Sequence, residues 1–145
     1  MSSEYGRPRI MASILKVDTI TGVSTAGSIA VTGEGNSTTT NLQQGLAKSW
    51  SLVNGTGTIA VRDTFNVASI TDVGTGYVRN NLTNSMSSAN YTCIGGVRNS
   101  SDGDCFWQSL NDVNATSHYQ SYSMQSNTTA KDAQYLNASI EGDLA

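Results

Sequence analysis

Asn54-Gly55-Thr56-Gly57-Thr58-Ile59-Ala60-Val61-Arg62-Asp63 joins a glycine-rich turn to an alternating stretch. Ile59 and Val61 fall on one face, and Ala60 and Arg62 on the other. This is the period-two signature of a half-buried strand. The pattern returns near the end of the chain, where Gln134, Leu136, Ala138 and Ile140 alternate with Tyr135, Asn137 and Ser139. Further turn signals stand between the two, at Asp72-Val73-Gly74-Thr75-Gly76 and Ser100-Ser101-Asp102-Gly103-Asp104. The spacing predicts strands near residues 50–54, 57–63, 67–72, 76–83, 90–97, 104–110, 117–126 and 133–141. Short strands separated by Gly-rich turns at this spacing imply an all-β, antiparallel sandwich or barrel, and the expected head is a jelly-roll-like β-sandwich.

Upstream of this head, residues 1–12 read as an irregular tail. Ile14-Leu15-Lys16-Val17-Asp18-Thr19-Ile20 reads as a strand, with Leu15 and Val17 on one face and Ile14 and Ile20 on the other. Ser28-Ile29-Ala30-Val31-Thr32 reads as a second, and Gly33 to Thr39 as a polar linker. One short helix follows. Thr40 suits an N-cap, Gln43 completes a capping box, and Leu42, Leu46 and Trp50 recur at i, i+4 and i+8. About ten residues of helix containing Gly45 need a partner to hold them. The Leu stripe either caps the head or meets its own copies around a symmetry axis. The expected organisation is an extended N-terminal β arm over residues 1–40, a junction helix over 41–50 and the sandwich head over 50–145.

Composition sets the character of the interior. Ser, Thr, Asn and Gly occupy 64 of 145 positions, and only 13% of residues are charged, against about 25% in ordinary globular proteins. The apolar share is 37%, below the usual range of about 45–50%. Disorder of that origin comes with high net charge, whereas this chain carries −3 and six Tyr, two Trp and two Phe. An ordered β protein with a thin core, completed by association with other copies, fits better. The eight basic residues are scattered, so no nucleic-acid surface is expected. No apolar run approaches the roughly 20 residues of a membrane-spanning helix. The first ten residues hold no apolar stretch of the signal-peptide kind.

Catalytic chemistry is sparse. His118 stands alone in Thr116-Ser117-His118-Tyr119-Gln120, with no signature supplying a nucleophile and an orienting carboxylate. Asp102, Asp104 and Asp112 lack the distal Glu of a calcium loop, so no metal or cofactor is expected and the chain reads as a non-enzyme. A small hydrolase is the reading least supported. Cys93 and Cys105 fall in neighbouring predicted strands, where buried thiols are expected and a cross-hairpin disulfide is conceivable. Trp107, Tyr119 and Tyr122 are the candidates for a ligand-facing aromatic patch that stacks on sugars, against the plainer reading of aromatics as core or interface anchors.

Three strings carry a resemblance. Ala47-Lys48-Ser49-Trp50, then Asn54 through Val67, then Ser69-Ile70-Thr71-Asp72-Val73-Gly74-Thr75-Gly76-Tyr77 resemble a module of fibre and virion structural proteins of marine and cyanobacterial phages. Ile14 to Ile20, Asn90-Tyr91 and Gly142-Asp143-Leu144-Ala145 are similar to that family too. The resemblance spans roughly residues 12–92 and the last few, and leaves residues 98–130 unmatched. It implies a virion component on the phage particle surface: a short homotrimeric fibre or a capsid decoration protein, anchored to other virion proteins by its N-terminal arm. The trimer interface would involve Leu42, Leu46 and Trp50. The alternative is a receptor-binding tip that adheres to host surface glycans.

Overall fold

The computed structural model describes residues 14–22, 29–33, 38–98, 105–109, 114–125 and 129–145, with residues 105–109 described as backbone only. Ten strands follow one another: β1 (Ala30–Thr32), β2 (Thr39–Asn41), β3 (Ala47–Asn54), β4 (Ala60–Phe65), β5 (Val67–Gly74), β6 (Tyr77–Leu82), β7 (Thr92–Arg98), β8 (Cys105–Ser109), β9 (His118–Gln125) and β10 (Tyr135–Glu141). The eight strands expected in the head are β3 to β10, each within a few residues of its expected place. They form two antiparallel sheets of four, ordered β4-β3-β10-β7 and β5-β6-β9-β8. Three connections are hairpins within one sheet, and the others cross between sheets.

Alternation decides which side chains meet between the sheets. Ser49, Ser51 and Val53 of β3 point inward beside Leu136, Ala138 and Ile140 of β10, and all six are buried. Val78, Asn80 and Leu82 of β6 face them with Tyr119, Ser121 and Ser123 of β9. One apolar cluster joins Leu82, Met86, Tyr91 and Tyr119 to Ala138 and Ile140. A second joins Val53, Val78 and Leu136. Both draw on the two sheets, which makes the head a sandwich. The interior is as polar as the composition requires, and hydrogen bonds compensate. The Tyr119 hydroxyl donates across the layers to Ser51 Oγ at 3.2 Å. Ser123 Oγ donates to the Lys131 carbonyl at 2.6 Å. The Asn80 amide is an exception, buried with no partner among the described residues.

The expected helix does not form. Thr40 lies in β2, paired with Val31 of β1. Asn41 Oδ1 accepts from the Gln44 amide at 3.1 Å, and the Gly45 amide donates to the Asn41 carbonyl at 3.2 Å. That single turn over residues 42–46 is where helical geometry stops, since β3 pairs with β10 from Ala47 and with β4 from Trp50. A helix of this length loses its nucleation cost against two ladders of sheet hydrogen bonds. The strand expected at Ile14–Ile20 makes no ladder either; the segment is exposed, with Ile14 at 78% and Leu15 at 77%. Of the arm, β1 and β2 form a separate two-stranded sheet.

One corner controls the passage from the first sheet to the second. Asn66, between β4 and β5, has φ of 57°, the left-handed region that Asn tolerates better than most residues. Its Nδ2 donates to the carbonyls of Lys48 (2.9 Å) and Asn84 (3.1 Å). Its Oδ1 accepts from the Asn84 amide at 2.8 Å. Asn66→Ala removes these bonds and adds backbone strain, a loss of ~2–3 kcal/mol. Asn66→Gly removes the bonds alone and should cost about 1 kcal/mol less than Ala. Urea denaturation of both variants checks this, and equal losses would remove the strain contribution.

Two buried phenols make the fold sensitive to alkali. The Tyr91 hydroxyl donates to the His118 carbonyl at 2.7 Å, with the Ala115 carbonyl also within 3.1 Å. Burial pushes the Tyr91 hydroxyl well above the ordinary tyrosine range, and Cys93 and Tyr119 add to the rise. Burial also raises Tyr119, against the lowering effect of its hydrogen bonds with Ser51 and Ser49. An acid whose folded pKa is raised keeps its contribution below the unfolded value of about 10 and loses it as pH rises further. The melting temperature should therefore fall above pH ~10, and Tyr91→Phe should make that fall shallower. A variant with an unchanged alkaline slope would show that Tyr91 does not carry it.

Candidate docking surface

The outward face of the β4-β3-β10-β7 sheet carries the apolar residues that the core leaves out. On β3, burial of Ser49, Ser51 and Val53 turns Trp50 and Leu52 outward. Trp50 stands opposite Phe65 of β4 on one side and Ser139 of β10 on the other, and Ser139 stands opposite Ile94 of β7. Phe65, Trp50, Ser139 and Ile94 thus form one row across the sheet. Phe65 is 52% exposed and Ile94 53%, while Trp50 is half-buried. A shallow depression of about 430 Å³ lies among Trp50, Leu52, Ile94, Asn137 and Ser139.

Toward the arm the apolar row continues into a groove of about 680 Å³ lined by Leu46, Ala47, Phe65 and Leu144 among others. Lys48 at its edge is largely buried, with Nζ donating to the Leu46 carbonyl at 2.7 Å. A smaller hollow of about 260 Å³ beside β1 and β2 gathers Val31, Leu42 and Leu46. Leu42, Leu46 and Trp50 therefore lie along one surface, although not on a helix. Leu42 and Leu46 sit in the turn before β3, Trp50 lies on the strand, and Phe65 links the last two by lining the groove and pairing with Trp50. Phe65 is among the aromatics read as core or interface anchors; Leu144 and Ile94 escape sequence reading. Their signal is the cross-strand register, which no local pattern contains.

Of the three proposed ligand-facing aromatics, the two whose side chains are described are buried. Tyr119 is fully buried and Tyr122 nearly so, with the Tyr122 ring stacked on Tyr77 at 4.4 Å between centroids. Inward alternation on β9 accounts for Tyr119, since it shares a face with Ser121 and Ser123. The Trp107 side chain lies outside the described residues, as do Asp102, Asp104 and Asp112. His118 is half-buried, with Ser117 Oγ 3.2 Å from Nδ1. The two are chain neighbours, and no carboxylate among the described residues completes a relay. Among the described residues no group of three His, Cys, Asp or Glu converges, and no helix is long and apolar enough to cross a membrane. Cys93 is half-buried against the Tyr91–Tyr119 cluster; the Cys105 side chain lies outside the described residues.

The arrangement defines an antiparallel β-sandwich with an apolar stripe on one outer face, continuous with a groove beside the β1–β2 sheet. Compared with known proteins, the chain matches no family model, no curated protein and no solved structure.

Proposed function

We propose that this chain is a structural component of a phage virion: a short homotrimeric fibre or capsid decoration protein whose N-terminal arm attaches it to other virion proteins. The observation that carries the reading is the apolar stripe Leu46–Phe65–Trp50, more than half exposed at Leu46 and Phe65. A chain that buries so few large apolar side chains has little reason to leave these in water unless another surface covers them. A second copy supplies such a surface, and Leu42, Leu46 and Trp50 with Phe65 are the contact residues. The exposed segment from Ile14 to Ile20 carries apolar groups on both faces and has no strand partner among the described residues. That suits addition to the sheet edge of a neighbouring protein. The sequence strings around Trp50 and from Asn54 to Tyr77 add the family resemblance.

The second reading, attachment to host surface glycans, draws support from the shallow depression beside Trp50, whose lining adds Asn137 and Ser139 to the indole. Multi-angle light scattering on the purified chain tests the first. A trimer is expected at micromolar concentration, and Leu46→Asp with Phe65→Asp should yield monomers that keep the circular dichroism spectrum of the parent. A strictly monomeric parent, or a trimer indifferent to the double substitution, would remove this interface.

A further inference from the structure

The far end of the same sheet face holds a different chemistry. Tyr135 of β10 points outward beside Asn137 and Ser139, because Leu136, Ala138 and Ile140 point in. Two arginines from strands on either side of β10 converge on its ring. The Arg62 guanidinium lies 4.4 Å from the ring centroid and the Arg98 guanidinium 5.5 Å. Both distances are within the range of cation–π attraction. Arg98 is directly opposite Tyr135 in the β7–β10 ladder. Arg62 reaches the ring because the β3–β4 ladder slips between Leu52 and Val53, leaving Arg62 as the unpaired residue between Val61 and Asp63. Arg62 Nη2 also meets the Gln134 carbonyl at 3.4 Å.

Neither guanidinium has a carboxylate partner among the described residues. Asp63, next in the chain, accepts from the Thr64 amide at 2.9 Å instead. In a chain of net charge −3 with only eight basic residues, two exposed arginines held against one ring are a local reversal of sign. Each guanidinium keeps planar donors suited to a carboxylate or sulfate. One row toward the arm, Asn137 is exposed, and its Oδ1 would stand 2.9 Å from a Cβ at Gly96. Glycine there lets the amide lie over a bare stretch of sheet. Donors for anions, then an amide and an unobstructed floor, then Trp50 form a polar-to-aromatic track along the face.

We infer that the Arg62–Tyr135–Arg98 clamp binds an acidic polysaccharide, taking its carboxylate or sulfate groups on the two guanidiniums and its sugar hydroxyls on Asn137. An acidic polypeptide is the competing occupant, and the test separates the two. The clamp lies at the opposite end of β3 from the β1–β2 sheet, so attachment through the arm leaves it facing outward. The inference deepens the surface-attachment reading and is independent of the trimer.

The test uses the full chain on resins bearing a sulfated polysaccharide, polygalacturonate, neutral dextran or polyglutamate. Salt-dependent retention is expected on at least one of the two acidic polysaccharides and not on dextran. Arg62→Gln with Arg98→Gln should weaken binding in solution at least tenfold, as loss of charge-assisted hydrogen bonds requires. Arg62→Lys with Arg98→Lys should restore only part of it, because an ammonium lacks the planar fork. All variants alter exposed side chains, and an unchanged melting temperature identifies them as folded. Retention that the double Gln variant keeps in full would overturn the clamp while leaving surface attachment standing. No retention on either acidic polysaccharide would overturn the ligand class, and stronger retention on polyglutamate would replace it with an acidic protein partner.

Discussion

The last strand holds this molecule together. β10 enters between β3 and β7, so residues 135–141 pair with segments that begin at Ala47 and Thr92. Nothing local brings these segments together. Their register is fixed by alternation: Leu136, Ala138 and Ile140 must reach the interior, and a slip of one residue would expose all three. The same requirement points Tyr135, Asn137 and Ser139 outward. The outer surface, with its Arg–Tyr–Arg clamp at one end and its Trp50–Phe65 row at the other, is thus the complement of the core pattern. Forming contacts this distant in the chain is slow by the usual relation between topology and rate.

The interior that β10 closes is thin and polar. Ser49, Ser51, Ser121 and Ser123 occupy positions where Val or Ile would bury more apolar surface. Small side chains let the sheets approach, and large ones at few points fill the space between: Tyr119 near the centre, Met86 and Tyr91 at one side. Each buried hydroxyl then needs an acceptor, and Tyr119 to Ser51 shows one answer, a hydrogen bond between layers. Asn80 shows the cost of the same composition, a buried amide with no partner among the described residues. A core with this balance leaves little margin, which supports the proposal that another chain covers the exposed apolar stripe.

The face of the β4-β3-β10-β7 sheet is divided by chemistry along its strands. Near the turn at residues 42–46 it is apolar, and near Arg62 and Arg98 it is cationic and polar. A bulge in the β3–β4 ladder marks the change, since it turns Arg62 toward Tyr135. Opposite ends of one rigid sheet can thus serve an anchoring contact and an outward contact without sharing residues.

The sequence alone determined the all-β class and the places of the eight head strands, because alternation and glycine-rich turns are local signals that each strand writes in its own residues. It also marked Leu42, Leu46 and Trp50 as residues of one surface, but for a wrong reason. Their helical spacing spans a single turn and the start of a strand, because pairing of β3 with β4 and β10 outweighs a marginal helix. Tyr119 and Tyr122 looked available because polar neighbours surround them in the chain, yet in β9 those neighbours are buried too. Only tertiary structure decided which strands are adjacent, that Phe65 joins Trp50, and that Arg62 and Arg98, 36 positions apart in the chain, meet on one ring. Cross-strand register is a property of the folded sheet, and no window of sequence contains it.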